Sequence, residues 1–152
     1  MEYIKGSDFK LHNTVVTLGK FDGLHLGHKE LIDIVLSTNG LTKVLFTFDV
    51  NPLSILSDKE FKVIETGAER INLMKDSGFD YMIDYPFTKE TINTEADDFI
   101  KTIIHDKLDA KMLVVGTDFR FGKDRLGDVN LLEKRSKDYG YVLKVIEKKK
   151  MY

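Results

Sequence analysis

Short apolar runs alternate with helix-like segments along this 152-residue chain, and two of the runs end at a glycine. Five runs have this character: TVVTLG (14–19), KVLFTFD (43–49), DYMIDY (80–85), KMLVVG (111–116) and YVLKVIE (141–147). Such runs are typical of strands that helices cover on both faces. The alternation predicts parallel strands joined by crossovers, and hence a single doubly wound, Rossmann-like α/β domain of about five strands.

The segments between the runs carry helical signals. HKELIDIVLS (28–37) places apolar side chains on one helical face, and GAERINLMKDSG (67–78) is predicted to be a helix that Gly78 closes. In TEADDFIKTIIHDKL (94–108) Thr94 is predicted to be the N-cap. GDVNLLEKRSKDYG (127–140) is predicted to form a helix that opens at Asp128 and stops at Gly140.

The bulk composition excludes several classes of function. A net charge of −2 provides no electrostatic attraction to nucleic acid or anionic membrane, so neither is expected as a partner. The absence of cysteine excludes disulfides and thiolate metal sites. The sequence shows no signal peptide and no apolar run long enough to cross a bilayer, so we expect a cytoplasmic protein.

The segment TLGKFDGLHLGH (17–28) joins the first predicted strand to a helix and holds three glycines, Asp22, His25 and His28. The unpaired N–H groups and positive dipole end of a helix N-terminus favour a phosphate, and imidazoles can donate to phosphate oxygens. Two alternatives stay open: a tight turn with capping histidines, and a zinc site with Asp22 as the third ligand. The chain contains neither a P-loop motif nor a GxGxxG fingerprint after a strand.

Three motifs give a specific resemblance. GKFDGLHLGHKELI (19–32) is similar to the first motif of the HxGH nucleotidyltransferases, in the form found in the FMN adenylyltransferase module of bacterial bifunctional riboflavin kinase/FAD synthetases. VVGTDFRFGKDRLGDVNLL (114–132) resembles that family's "GxDFxFGxxRxGD" segment, and TFDVNPLSIL (47–56) resembles its "TFxPHPxxxL" segment. The resemblance covers essentially the whole chain.

The resemblance implies that the chain, residues 1–152, is an FAD synthetase domain of the HxGH type, which transfers AMP from ATP to FMN and releases FAD and pyrophosphate. It implies Mg²⁺ bound with ATP, no metal site built by the protein, and catalytic roles for His25 and His28 at the phosphates. The implied nucleotide-binding residues are Gly19, Phe21, Asp22, Gly23, His25, Gly27, His28, Gly116 and Asp118. The implied flavin-binding residues are Phe48, Asn51, Pro52, Phe119, Phe121 and Arg125.

The sequence departs from the family pattern at a few positions. Lys20 stands where the family often has asparagine, and Val50 and Asn51 replace the first two residues of "PHP". The family's second phosphate motif, "ISSTxxR", and its riboflavin kinase module are not in the chain, so we expect a piece of a longer polypeptide. Two alternative functions stay open: an HxGH transferase with another phosphorylated acceptor, and a non-catalytic flavin- or nucleotide-binding fragment.

Overall fold

Six parallel strands form one sheet in the computed structural model, which describes residues 2–19, 26–49, 78–86 and 88–147, without side chains at 26–29, 49 and 90. The strands are β1 (Glu2–Lys5), β2 (Thr14–Gly19), β3 (Thr42–Asp49), β4 (Tyr81–Pro86), β5 (Ala110–Gly116) and β6 (Val142–Ile146). Their order across the sheet is β1-β4-β3-β2-β5-β6. The predicted α/β class and parallel sheet are confirmed, and all five predicted strands are present.

The prediction of about five strands missed the edge strand β1. Its sequence EYIK is short and half polar, and it pairs only with β4, in the register Tyr3↔Met82 and Ile4↔Ile83. An edge strand needs fewer apolar residues than a central one, because one of its sides faces solvent. The sequence of β1 therefore does not stand out as an apolar run.

Helices cover both faces of the sheet. On one face lies α1 (Leu26–Ser37), whose Leu31, Ile32 and Val35 are buried. The chain then forms α2 (Lys89–Ile92) and α3 (Ala96–Phe99), and α3 continues directly into a π-helical segment, Ile100–Lys107. That segment and α4 (Val129–Tyr139) bury their apolar side chains against the opposite face. We refer to these two sides of the sheet as the α1 face and the α3 face.

The helix ends that the sequence predicted from capping residues are confirmed in α4 but not in α3. Asp128 caps α4 by accepting a hydrogen bond from the Leu131 N–H at 3.0 Å, and Gly140 ends that helix with φ at +71°, as predicted. The prediction for Thr94 was wrong: Glu95 is the N-cap of α3 and makes no side-chain cap. The Thr94 carbonyl instead accepts a hydrogen bond from the Lys123 N–H at 2.8 Å, so tertiary packing sets this boundary. The helix predicted over 67–78 lies outside the described residues, apart from Gly78.

The order of the strands creates a switch point at β2. From β2 the chain proceeds outward through β3 and β4, then returns to place β5 on the other side of β2. In open α/β sheets, ligands bind in the crevice beyond the carboxyl ends of the strands at such a point. The fold therefore directs attention to the segments that follow β2 and β5.

Candidate functional site at the carboxyl ends of β2 and β5

Two glycine-rich segments, residues 19–28 after β2 and residues 116–127 after β5, begin side by side. Thr17 of β2 lies opposite Val114 of β5, and each strand ends two residues later, at Gly19 and Gly116. A parallel sheet brings these ends to the same edge, so residues almost a hundred positions apart start the two segments together. The fold therefore places the starts of the two segments next to each other, although they are distant in the sequence.

The first segment leads into α1. Gly27 and His28 lie in the first turn of this helix, which begins at Leu26. In general, unpaired N–H groups and the positive end of the helix dipole make the first turn of a helix a favourable place for an anion. Several predicted site residues lie outside the described part of the chain, as does the side chain of His28, and their roles stay predictions: Phe21, Asp22, Gly23, His25, Asn51 and Pro52.

The second segment, residues 116–127, folds back on itself through backbone hydrogen bonds. The Phe119 N–H donates to the Gly116 carbonyl at 3.1 Å, which closes a turn directly after β5. Phe121 and Gly127 exchange two further hydrogen bonds, of 3.1 and 2.9 Å. With the Lys123–Thr94 hydrogen bond, these contacts fix the segment against the start of α3.

Gly122 permits this close approach. Its φ is +77°, and a Cβ built there would lie 2.7 Å from the Ala96 Cα. No side chain fits at that distance from a backbone atom, and the left-handed conformation itself favours glycine. Gly122 is therefore needed for packing, whether or not a ligand binds nearby.

Aromatic side chains line the α3 face beneath this segment. The ring centroids of Phe48 and Phe119 are 6.3 Å apart, and those of Phe119 and Phe121 are 5.5 Å apart in a stacked pair. Phe119 and Phe121 are buried and belong to the core, whereas Phe48 at the end of β3 is only half-buried. Both phenylalanines of the segment thus pack the core, and their predicted contact with flavin stays a prediction.

The polar residues of the second segment face outward. Asp118 and Arg125 are exposed, and Arg125 adopts a left-handed backbone conformation with φ at +54°. Its guanidinium has no hydrogen-bond or ion-pair partner among the residues that the structure describes. An exposed arginine without such a partner is free to bind an anion.

A polar row on the α1 face was missed at the sequence level. Thr17, Thr47 and Asp84 are all buried, on three neighbouring strands, and Thr47 lies opposite Asp84. The Tyr3 hydroxyl donates to the Asp84 carboxylate at 2.5 Å. Among the residues that the structure describes, the Thr17 hydroxyl has no hydrogen-bond partner. The signal was available, because each of these residues interrupts an otherwise apolar run.

The described residues form neither a metal-binding cluster nor a membrane-spanning helix. No group of three histidine, aspartate or glutamate side chains in that part of the chain converges closely enough to hold a metal ion. Within the same ranges, every helix is too short or too polar to span a membrane.

Known proteins match the chain along most of its length. The FAD synthetase family matches residues 8–152. A bifunctional riboflavin kinase/FMN adenylyltransferase of Buchnera aphidicola is 36% identical over 144 residues, which cover 92% of this chain and 45% of the relative. The protein of the same description from Escherichia coli K12 is 32% identical, covering 84% and 42%. An FAD synthetase of Listeria monocytogenes is 31% identical, covering 82% and 52%.

The chain thus spans about half the length of the curated relatives it matches. A crystal structure described as a macrolide-efflux protein from Streptococcus pneumoniae shares the fold, with a TM-score of 0.73 and 24% identity, over 97% of this chain and 50% of that one. The sequence match over residues 8–152 carries both glycine-rich segments that meet at the switch point. The chain belongs to the FAD synthetase family.

Proposed function

We propose that this chain transfers the AMP part of ATP to FMN, giving FAD and pyrophosphate. The observation that carries the proposal is the meeting of the segments after β2 and β5 at the switch point, within a chain that belongs to the FAD synthetase family over residues 8–152. Ligand-binding crevices of open α/β sheets occur at this position. The names of the relatives indicate the two substrates, FMN and an adenylyl donor.

The nucleotide is proposed to lie over the ends of β2 and β5. Gly19 and Gly116 leave space there for the backbone to approach a ligand, and the first turn of α1, with Gly27 and His28, supplies N–H donors for the phosphates. His25 and His28 are proposed to add imidazole donors, and Phe21, Asp22 and Gly23 are proposed nucleotide-binding residues. Asp118 is exposed just beyond β5, where a carboxylate can accept hydrogen bonds from ribose hydroxyls.

The flavin is proposed to lie on the α3 side of the same crevice. Phe48, with Phe119 and Phe121 behind it, offers an aromatic surface, and an isoalloxazine ring stacks favourably on such a surface. Asn51 and Pro52 follow β3 and are proposed to complete this subsite. The exposed guanidinium of Arg125 suits the FMN phosphate, which an arginine fork can bind through two hydrogen bonds.

The reaction follows from this placement. A phosphate oxygen of FMN attacks the α-phosphorus of ATP in line, the bond from that phosphorus to the bridging oxygen breaks, and pyrophosphate leaves. The attacking phosphate is already ionised at neutral pH, so the protein supplies orientation and donors for the developing negative charge. His25 and His28 are the proposed donors. A Mg²⁺ ion brought in with ATP would neutralise part of the phosphate charge, and it would not require a cage of carboxylates from the chain.

The setting of the enzyme is also a proposal. We expect a cytoplasmic protein, and a riboflavin kinase module joined to the same polypeptide, as the names of the bifunctional relatives suggest. A kinase module would produce the FMN that this domain consumes.

The test is a direct assay. The chain is incubated with FMN, ATP and Mg²⁺, and FAD is measured by chromatography while pyrophosphate is measured by a coupled reaction. Equal amounts of FAD and pyrophosphate support the proposal. Turnover only with CTP and another phosphorylated acceptor would move the chain to a different HxGH activity, and FMN binding without product would reduce it to a binding domain.

A further inference from the structure

Tyr85 lies at the carboxyl end of β4, inside the aromatic cluster of the α3 face. Its ring centroid is 5.3 Å from that of Phe46, 6.0 Å from that of Phe99 and 6.2 Å from that of Phe48. Only 6% of the residue is exposed. Three phenylalanine rings therefore surround the ring of Tyr85. A phenylalanine at position 85 would keep the same ring packing.

The Tyr85 hydroxyl distinguishes this residue from two other tyrosines. Tyr3 donates to Asp84, and Tyr141 donates to the Leu132 carbonyl, whereas the Tyr85 hydroxyl has no hydrogen-bond partner in the described part of the chain. In that part of the chain Thr17 Oγ1 is a fully buried side-chain polar atom without a partner, and the Tyr85 hydroxyl is not. The Tyr85 hydroxyl therefore lies where solvent, and hence a ligand, can reach it. Burial raises the pKa of Tyr85, so the group remains a neutral donor at physiological pH.

The position of Tyr85 relates it to the proposed flavin subsite. Tyr85 lies opposite Phe48 in the β3–β4 register, and Phe48 in turn contacts Phe119 of the second segment. The three rings thus form one row along the carboxyl edge of the sheet, from β4 to the segment that follows β5. Phe48 in the middle is half-buried and leaves surface for a ligand.

We propose that Tyr85 is a specificity-determining residue for the acceptor, with its hydroxyl donating a hydrogen bond to a carbonyl or ring nitrogen of a planar heteroaromatic ring that lies against Phe48. This inference rests on the proposed function and adds the residue that selects the ring. Aromatic stacking alone accepts many planar ligands. A polar group that is left unpaired by the wrong ligand rejects it much more strongly.

The test compares Tyr85→Phe with Tyr141→Phe. Tyr141 is also buried, but its hydroxyl bond lies within the protein, which makes it the matched control. For Tyr85→Phe we expect the KM for FMN and the Kd from quenching of FMN fluorescence to rise about 3–10-fold, as for the loss of one hydrogen bond, with the KM for ATP unchanged. Tyr141→Phe should leave all three constants unchanged and lower the urea midpoint instead.

The outcomes separate the inference from the proposed function. The wild-type assay decides whether the chain makes FAD, and the ratio of the FMN constants between wild type and Tyr85→Phe decides the role of Tyr85. If the wild type binds FMN but does not adenylylate it, the Kd ratio still decides. Equal constants for the two proteins would overturn the inference, as would a lower urea midpoint for ligand-free Tyr85→Phe, because the hydroxyl would then have a structural partner.

Discussion

The two faces of the sheet are built from different chemistry. The α1 face combines aliphatic side chains, such as Val15, Leu45 and Val114, with the buried polar row that contains Thr17, Thr47 and Asp84. The α3 face is largely aromatic at its carboxyl edge, where Phe48, Tyr85 and Phe119 meet. Each strand contributes side chains to both faces, because alternate residues of a strand point to opposite sides of the sheet.

This difference fits the two substrates of the proposed reaction. A flexible, highly charged triphosphate needs N–H groups and positive charge, which the start of α1 provides on its own face. A flat, uncharged ring system needs an aromatic surface, which the α3 face provides. The switch point places both faces at one edge, so two unlike ligands can meet over Gly19 and Gly116.

The largest expected effect concerns the phosphate side. His28→Ala should lower the kcat for FAD formation about 10²–10³-fold, because it removes a donor to the transition-state charge, while alanine keeps α1 intact. His12→Ala is the control, since His12 is exposed and lies outside both segments. Full activity of His28→Ala would show that α1 does not hold the phosphates through this side chain.

The second prediction tests how closely the second segment, residues 116–127, packs on α3. Gly122→Ala should lower the free energy of unfolding by about 2–5 kcal/mol, because it adds a clash with the Ala96 backbone to the cost of a left-handed alanine. Gly140→Ala is the matched control, with φ at +71° and no atom within 4 Å of the new Cβ. Urea unfolding of both variants isolates the clash, and equal losses would contradict the close packing of this segment on α3.

The third prediction concerns the polar row of the α1 face. Thr17→Val should raise the free energy of unfolding by about 1–2 kcal/mol, because it replaces an unpaired buried hydroxyl with a methyl group of similar size. Thr14→Val on the same strand should lower it by about 1 kcal/mol, since the Thr14 hydroxyl donates to the Leu108 carbonyl at 2.7 Å. Changes of the same sign in urea unfolding would mean that Thr17 has a partner.

The smallest effect is a pH dependence remote from both ligand sides. The Asn13 N–H, 2.9 Å from the Asp109 carboxylate, lowers the pKa of Asp109, and Lys111 adds to this shift. A lowered folded-state pKa means that the stabilisation is present above the unfolded pKa of about 3.9 and is lost as pH falls through the folded value. Asp109→Asn should therefore show a smaller loss of urea midpoint than wild type between pH 7 and pH 3. Asparagine accepts the φ of +47° at this position, so the comparison isolates charge.

The sequence by itself determined the class of fold. The runs 14–19 and 111–116 are apolar throughout, and continuous burial between two helix layers produces that pattern. Local chemistry also fixed the ends of α4, because an aspartate at the N-cap and a left-handed glycine act within one helical turn. The motifs in 19–32, 47–56 and 114–132 were sufficient to identify the family.

Only the tertiary structure decided which residues become neighbours. The strand order placed β5 beside β2 and so brought Gly116 to Gly19, a relation that depends on how the strands pair and not on either segment alone. Docking of residues 122–127 on Ala96 gave the Thr94 carbonyl a partner and moved the helix start to Ala96. The unpaired hydroxyl of Thr17 is decided in the same way among the described residues, because the partners of a buried polar group are set by residues distant in the chain.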